Sequence, residues 1–194
     1  MDFERIQEIT KEVEQILSES PKRFRHSLGV ADTAMCLAAC HGADISAAYV
    51  AGILHDNAKY IDYDEQIKMC DDLGIEISAT ERANPYLLHA KVGAYIASER
   101  FGIKDKSITE AIKWHTTGKP AMSKMDMIIF IADYIEPMRY KANNLAEVRR
   151  LAFKDLETTV LQILGDTLDM LKAKGRSIDS MTQTAYDYYK SKLS

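Results

Sequence analysis

An apolar segment that ends in adjacent histidine and aspartate is the strongest chemical signal in this 194-residue sequence. Residues 51–54 are small or apolar, and His55 and Asp56 follow at once. Burying an imidazole beside a carboxylate costs free energy unless each group is paired or binds a metal ion. The pair therefore predicts a polar or metal site at the end of a buried helix.

Other histidines, and one aspartate in apolar surroundings, are candidate partners for this pair. His26 lies upstream, His89 and His115 lie downstream, and Asp133 interrupts the apolar residues 130–135. Imidazole and carboxylate are the usual protein ligands of iron, manganese and zinc. We expect the scaffold to bring six ligands together: His26, His55, Asp56, His89, His115 and Asp133.

These ligands are enough for two metal ions. Neighbouring side chains on an α-helix point about 100° apart, so His55 and Asp56 can share an ion only near a helix end. A first ion would take His26, His55, Asp56 and Asp133, and a second would take His89 and His115, with Asp56 as the bridge. Two ions about 3.5–4 Å apart can clamp a phosphate and activate water for in-line attack. The alternative for Asp133 is a buried helix-capping carboxylate.

Composition narrows the class of protein. The net charge is −4 and the sequence has no basic run, which argues against a function in coating nucleic acid. No apolar run reaches the roughly 18 residues that a membrane span needs, and residues 1–5 are too charged for a signal peptide. We interpret Cys36, Cys40 and Cys70 as small buried side chains in a reducing cytoplasm rather than as metal ligands.

Hydrophobic periodicity predicts helices throughout and no strand, so the expected fold class is all-α. Expected capping boxes begin helices at Asp62, Ser78, Ser107 and Ser123, and Asp44 or Ser46 is expected to cap the helix before His55. The other predicted helices cover residues 3–17, 24–39, 85–101, 145–174 and 178–189. We expect a single domain over residues 1–194, with a metal-site core at about 20–140 and long C-terminal helices at about 145–194 packed on it.

The order of these ligands resembles that of the HD-domain metal phosphohydrolases. The surrounding segments are similar to those of the bacterial YqeK family, whose members are symmetrical diadenosine tetraphosphate hydrolases. Five segments carry the resemblance: RHSLGV (25–30), GILHDNAK (52–59), LLHAKVGAYIA (87–97), IKWHTTGKPAMS (112–123) and IADYIEPMR (131–139).

The resemblance implies a compact HD-domain helical bundle with a two-metal centre of the iron type. Manganese or another transition metal is the alternative. The resemblance implies cleavage of diadenosine tetraphosphate into two ADP by metal-activated water, with Asp56 as a catalytic residue. The charge of Lys59 and its position four residues after His55 make it the second candidate catalytic residue. The expected partner is a dinucleoside polyphosphate or a nucleotide like ADP or GDP, without nucleic acid or membrane, and a homodimer is a further expectation.

Cations and a glycine-containing loop near the ligands are candidate phosphate contacts. They are Lys59, Arg25, Arg139 and the loop Thr116, Thr117 and Gly118. Each has a purely structural alternative. Lys59 would extend along the surface at a helix end, Arg139 would pair with Glu136, and the loop would only end a helix. His41, at a helix end, is expected to bond a carbonyl and to take no part in the site.

Three other functions compete with this one. One is a different HD phosphohydrolase, such as a nucleotidase or a phosphodiesterase. The others are a di-iron oxygenase and a non-catalytic module that binds nucleotides or senses metals. A ferritin-like bundle is disfavoured because its Glu-x-x-His pairs are missing from the sequence.

Overall fold

The computed structural model describes residues 1–140, 142 and 144–194, and these residues form helices and no β-strand. The α-helices are α1 (Phe3–Ile16), α2 (Pro21–His41), α3 (Ile45–Leu54), α4 (Tyr63–Leu73), α5 (Ala79–Ala83), α6 (His89–Glu99), α7 (Lys106–Trp114), α8 (Lys124–Ile135), α9 (Leu145–Ala152), α10 (Leu156–Ala173) and α11 (Ser180–Lys192). A short 3-10 helix, Pro85–Leu87, precedes α6. The all-α prediction is confirmed.

Two apolar helices, α3 and α8, lie at the centre of the fold. Seven of the ten residues of α3 and nine of the twelve residues of α8 are buried, as expected of helices that are apolar on most sides. Helices α1, α2, α7 and α8 pack around α3, and α10 packs on α8. The closest approach is between α2 and α3, where an added Cβ on Gly52 would lie 2.6 Å from Cα of Ala31. None of the described helices is long and apolar enough to cross a membrane.

Side-chain caps fix several helix starts where the sequence predicted them. Ser78 and Ser123 form complete capping boxes with Glu81 and Asp126. Of the two candidates for α3, Asp44 is the cap, and its carboxylate accepts a hydrogen bond from the backbone N–H of Ala47. These local motifs satisfy backbone donors that the first helical turn leaves unpaired.

Two of the predicted capping boxes are wrong. Asp62 precedes α4, but its side chain makes no capping hydrogen bond. Helix α7 begins before Ser107, because Asp105 accepts hydrogen bonds from both the backbone N–H and the hydroxyl of Ser107. Asp105 and Ser107 are both good capping residues, and it is the carboxylate of Asp105 that accepts the hydrogen bonds at the start of α7.

The predicted long helix over residues 145–174 is also wrong, because the chain breaks it into α9 and α10. The break falls at residues 153–155, where Asp155 caps α10 by accepting from the N–H of Thr158. Of the predicted break at Asn143 and Asn144, Asn143 lies outside the described residues, and Asn144 immediately precedes α9. The prediction of one continuous helix over residues 85–101 is also wrong. The structure has the 3-10 helix Pro85–Leu87 and then α6.

The cysteine prediction is correct for one residue of three. Cys70 is buried, whereas Cys36 and Cys40 are exposed on α2. The two exposed thiols lie four residues apart on α2, and Sγ of Cys40 lies 3.3 Å from the carbonyl of Phe153. His41 is bonded to a carbonyl as expected, although the acceptor is Ala152 of α9 rather than a carbonyl of its own helix.

Candidate metal centre

The six predicted ligands come from five different helices that meet at one place. His26 lies on α2 and Asp133 on α8, both within a helix. The other four lie at helix ends: His55 and Asp56 just after α3, His89 as the first residue of α6, and His115 just after α7. Because α3 stops at Leu54, adjacent His55 and Asp56 can both face the same centre, as the sequence required.

The imidazoles form two close pairs. Nε2 of His26 lies 3.3 Å from Nε2 of His55, and Nε2 of His89 lies 3.1 Å from Nε2 of His115. The rings of His55 and His115 join the two pairs edge to face, with centroids 5.0 Å apart. All four Nε2 atoms therefore face a common centre.

Hydrogen bonds on the far side of three rings fix their protonation. The Nδ1 atoms of His55, His89 and His115 each lie 2.6–2.7 Å from the carbonyl three residues earlier, which belongs to Gly52, Tyr86 and Ile112 respectively. A carbonyl only accepts, so Nδ1 carries the proton and donates it. Nε2 is then left with a lone pair for a metal ion, as in most metal-bound histidines.

Asp56 places one carboxylate oxygen among these lone pairs. Its Oδ1 lies 3.3 Å from Nε2 of His89 and 3.5 Å from Nε2 of both His115 and His55. The residue is 1% exposed, and among the described residues this oxygen has no hydrogen-bond partner. Oδ2 is paired with Nζ of Lys59 at 2.8 Å. A buried carboxylate oxygen surrounded by imidazole lone pairs is unfavourable unless a cation lies between them.

The spacing of these atoms fits metal ions. Ligand atoms about 2.1 Å from one ion and at right angles to each other lie about 3.0 Å apart. In the part of the chain that the structure describes, three groups of potential ligand atoms lie within 4.8 Å of one another: His26 with His55 and Asp56, Asp56 with His89 and His115, and His55 with His115 and Asp133. Asp56 belongs to two of these groups, one on each side, so the donor set suits two borderline-to-hard cations.

Asp133 completes the side of the centre near His26. Its Oδ1 lies 3.1 Å from Nε2 of His26 and 2.7 Å from Nη2 of Arg139. The guanidinium also donates to the carbonyl of Asp133 at 3.0 Å, whereas the carboxylate of Glu136 is 4.0 Å away. Arg139 thus pairs mainly with Asp133 rather than with Glu136.

Burial and charge set the protonation of the centre. Burial lowers the pKa of His55 to about 4, against the attraction of Asp56 and Asp133, and burial also lowers the pKa of His89. Burial alone would raise the pKa of Asp56, but positive charge on His55 and Lys59 holds it well below its usual range. Since His55 is neutral at pH 7, Lys59 supplies that charge there.

The outer histidine differs from the buried ones. Burial acts to lower the pKa of His26, but the hydrogen bond and charge of Asp133, the hydrogen bond to Glu136 and the charge of Asp56 outweigh it and raise the pKa. Burial would likewise raise the pKa of Asp133, yet its hydrogen bond to His26 and the charges of His55 and Arg139 hold it well below its usual range. The carboxylates are ionised at neutral pH, which is their ligand form.

Some of the candidate phosphate contacts lie beside the predicted ligands, and others make hydrogen bonds elsewhere. Lys59 lies in the turn after α3 rather than on a continuing helix, and it still reaches Asp56. Thr116 lies at the centre, with Oγ1 3.2 Å from Nε2 of His115 and 3.4 Å from Nε2 of His89. Arg25 is exposed on α2 beside His26.

Thr117 and Gly118 make their hydrogen bonds within the turn after α7. The Thr117 hydroxyl donates to the Gly118 carbonyl, and the N–H of Gly118 donates to the carbonyl of Trp114. Gly118 has a φ of 66°, and an added Cβ would contact core side chains such as Leu164. Gly118 therefore ends the turn after α7, and its N–H is not free for a phosphate.

The sequence reasoning missed two buried polar residues beside the ligands. Glu136, at the end of α8, brings Oε1 to 3.1 Å from Nδ1 of His26. Asn57 donates from Nδ2 to the carbonyl of Gly93, which ties the turn after α3 to α6. Asn57 lies in the segment GILHDNAK (52–59) and Glu136 in IADYIEPMR (131–139), and the resemblance of these segments to the YqeK family is the sequence feature that could have indicated both residues.

An all-helical scaffold that gathers histidines and aspartates at its helix ends defines the class of HD-domain proteins. The family model described as "HD domain" matches residues 23–138, which include all six ligands. The chain is 36% identical over 176 residues to the symmetrical bis(5'-nucleosyl)-tetraphosphatase of Bacillus subtilis (strain 168), covering 91% of this chain and 92% of that protein. It is 38% identical over 167 residues to the protein of the same name from Halalkalibacterium halodurans, covering 85% and 87%.

A solved structure agrees with these relatives. The crystal structure of a "predicted HD superfamily hydrolase involved in NAD metabolism" from Clostridium acetobutylicum is 37% identical and superposes with a TM-score of 0.91 over 96% of this chain and 97% of that chain. The chain therefore belongs to the HD-domain family, in its YqeK branch of symmetrical bis(5'-nucleosyl)-tetraphosphatases.

Proposed function

We propose that this protein hydrolyses diadenosine tetraphosphate symmetrically into two ADP. The observation that carries the proposal is the unpaired Oδ1 of Asp56 among the imidazoles, in a chain whose relatives are named for this reaction. Those relatives match along most of their length, so the similarity extends beyond the ligand segments. They do not favour an oxygenase or a non-catalytic module.

His26, His55, Asp56 and Asp133 would hold one metal ion, and His89, His115 and Asp56 would hold the other. When bound, two such ions supply an activated water and neutralise charge on the phosphates. The donors are nitrogen and oxygen atoms, which suit iron, manganese or zinc. We propose iron, as the likeness to the YqeK family suggests, and metal analysis of the purified protein tests that choice.

The reaction requires water to break the central anhydride. The oxygen of water bonds to one of the two inner phosphorus atoms, the P–O bond to the bridging oxygen breaks, and each half leaves as ADP. The carboxylate of Asp56 and the imidazole of His55 are in their ligand forms at neutral pH, whereas Nε2 of His26, which contacts Asp133, must be free of its proton before it binds a metal ion.

Two cations beside the ligands are suited to hold the phosphates. Lys59 bonds Asp56 with 30% of its side chain exposed, and Arg139 bonds Asp133 with 47% exposed. Each can contact a phosphate from its present place, and each contacts a different carboxylate. Thr116, whose hydroxyl lies beside His89 and His115, is a third contact. Arg25 is the outermost candidate.

Product analysis tests the proposal directly. The metal-loaded protein is incubated with diadenosine tetraphosphate, and the nucleotides are separated by chromatography. Two ADP per substrate supports the proposal, whereas ATP with AMP rules out symmetrical cleavage. Asp56→Ala is the control for contaminating phosphatases.

The proposal also covers the cellular compartment and the oligomeric state of the protein. Free thiols at all three cysteines suit the cytoplasm, where the nucleotide substrate would be met. A homodimer is also proposed, and light scattering coupled to size-exclusion chromatography measures the molecular mass against the 21.9 kDa of one chain.

A further inference from the structure

A buried carboxylate that is not one of the predicted ligands contacts the outer histidine. Glu136 follows the last residue of α8, and its side chain is 2% exposed. Oε1 lies 3.1 Å from Nδ1 of His26, and Oε2 accepts the backbone N–H of Met138 at 2.6 Å. Both oxygens are thus acceptors, and the guanidinium of Arg139 lies 4.0 Å from Oε1.

His26 needs this partner because of where it lies in its helix. The other three histidines donate from Nδ1 to a carbonyl three residues earlier, at the end of a helix or 3-10 turn. Carbonyls in a last turn lack intrahelical partners, so they are free to accept. His26 lies inside α2, where the carbonyls accept helical N–H groups, and its acceptor comes from a residue 110 positions away.

Gly29 makes room for that acceptor. An added Cβ on Gly29 would lie 2.8 Å from Oε2 of Glu136 and 3.6 Å from Cδ of both Glu136 and Pro137. Glycine weakens a helix interior, yet here it stands in the middle of α2, one turn after His26. The glycine therefore allows the carboxylate to lie against α2.

We propose that Glu136 is a positioning residue that holds the ring of His26 with Nε2 towards the metal ion it shares with His55, and that Gly29 provides the space this requires. The inference rests on the ligand set of the proposed function. Glutamine cannot replace Glu136. It has only one oxygen acceptor, so its NH2 group would have to face either the Nδ1–H of His26 or the N–H of Met138, and both of these are donors. Loss of an outer partner of this kind weakens metal binding by about 10–100-fold.

Metal affinity is the first test. Wild type and Glu136→Gln are stripped, then titrated with Zn²⁺ against a chromophoric chelator. We expect wild type to bind two ions, and Glu136→Gln to bind one with unchanged affinity and the other about 10–100-fold more weakly. If wild type itself binds no ion, the proposed function fails. If wild type and variant both bind two ions equally, only the present inference fails.

Imidazole nitrogen shifts provide a readout that a general loss of stability would not change. In ¹⁵N-histidine-labelled, Zn²⁺-loaded protein, wild-type His26 should show a protonated Nδ1 and a metal-bound Nε2. In Glu136→Gln the His26 signals alone should move towards free imidazole, while those of His89 and His115 stay in place. Unmoved His26 signals would overturn the inference.

Two further variants separate positioning from stability. Glu81→Gln is the matched control, because Glu81 is also buried and also accepts a backbone N–H, at Ser78, but its charged partner is Lys91 and not a ligand histidine. It should bind both ions as wild type does. Gly29→Ala displaces the Glu136 carboxylate without removing it, and should repeat the selective loss. If Glu136→Gln does not fold, Gly29→Ala provides the test in its place. Equal loss of affinity for both metal ions in Gly29→Ala would contradict a positioning role for Glu136.

Discussion

Oδ1 of Asp56 lies 3.3 Å from Nε2 of His89, and the same oxygen lies 3.5 Å from Nε2 of His55, which belongs to the other imidazole pair. One carboxylate therefore contacts both halves of the centre. We predict that Asp56→Ala loses both metal ions, whereas His89→Ala and His26→Ala each lose one. Metal content per chain by inductively coupled plasma mass spectrometry measures this difference.

The helices should survive these changes. Asp56 lies in a turn after α3, and its carboxylate accepts no backbone hydrogen bond among the described residues. Circular dichroism of Asp56→Ala should match wild type below the melting transition. One ion retained in Asp56→Ala would show that this carboxylate does not bridge.

Lys59 offers a separate test of the phosphate contacts. Its Nζ lies 2.8 Å from Oδ2 of Asp56, with part of the side chain open to solvent. We predict that Lys59→Met keeps two metal ions but lowers kcat/KM for diadenosine tetraphosphate by roughly 10²-fold, because one charge-stabilising donor is lost. Lys68→Met, which breaks a surface pair with Asp72, is the matched control. Loss of metal from Lys59→Met would instead mean that the lysine only supports Asp56.

Much of this centre was predictable from sequence because its signals are local. His55, Asp56 and Asp133 stand in apolar segments, where a histidine or aspartate is unexpected without a partner. The order of the family's sequence motifs indicated the other three histidines. The caps at Ser78 and Ser123 are equally local, since donor and acceptor lie three residues apart. Helix caps and ligand segments of this kind depend on a few neighbouring residues, so they can be predicted before the fold is known.

The features that were missed depend on distant contacts or on a choice between neighbours. Glu136 acts on His26 across 110 residues, and only the packing of α8 against α2 brings them together. Asp105 and Ser107 are both suitable caps, so the sequence leaves the start of α7 open. The break between α9 and α10 has no proline or glycine, and only the cap at Asp155 marks it.

Metal removal should lower thermal stability. Ions bound at a hundred times their Kd contribute about 2.7 kcal/mol each to folding if the unfolded chain does not bind them. For a chain of this size, 1 kcal/mol shifts Tm by about 2–4 °C. With two ions bound we therefore predict a fall in Tm of at least about 10 °C when a chelator strips the protein. Differential scanning calorimetry measures it, and Asp56→Ala should show no further fall with chelator.

Gly52 tests the close packing of α2 against α3. A Cβ there would lie 2.6 Å from Cα and 2.9 Å from N of Ala31, which are backbone atoms that cannot turn aside. We predict that Gly52→Ala lowers the free energy of unfolding by roughly 1–3 kcal/mol in urea titrations, since the helices must move apart. Gly165→Ala is the matched control within α10, where the nearest atom is a Tyr186 ring carbon at 3.4 Å. It should be neutral or stabilising by up to about 1 kcal/mol.

Tyr189 should make stability fall at high pH. The residue is 1% exposed, and its hydroxyl accepts the backbone N–H of Met122 at 2.9 Å. Burial raises the pKa of Tyr189 to about 12, although the Met122 N–H acts to lower it. In an unfolded chain tyrosine ionises near pH 10. Between these values the unfolded chain has lost a proton that the folded chain keeps, so rising pH favours unfolding.

The size of this effect follows from the two pKa values. Between pH 9 and pH 11 the contribution of Tyr189 falls by about 1 kcal/mol. Tyr189→Phe should be less stable than wild type at pH 9, because the Met122 N–H loses its acceptor, and the gap should narrow by about 1 kcal/mol at pH 11. Urea unfolding at both pH values measures the gap. Tyr63→Phe, which removes a solvent-exposed hydroxyl, is the control, and a gap for Tyr189→Phe that stays constant would contradict the prediction.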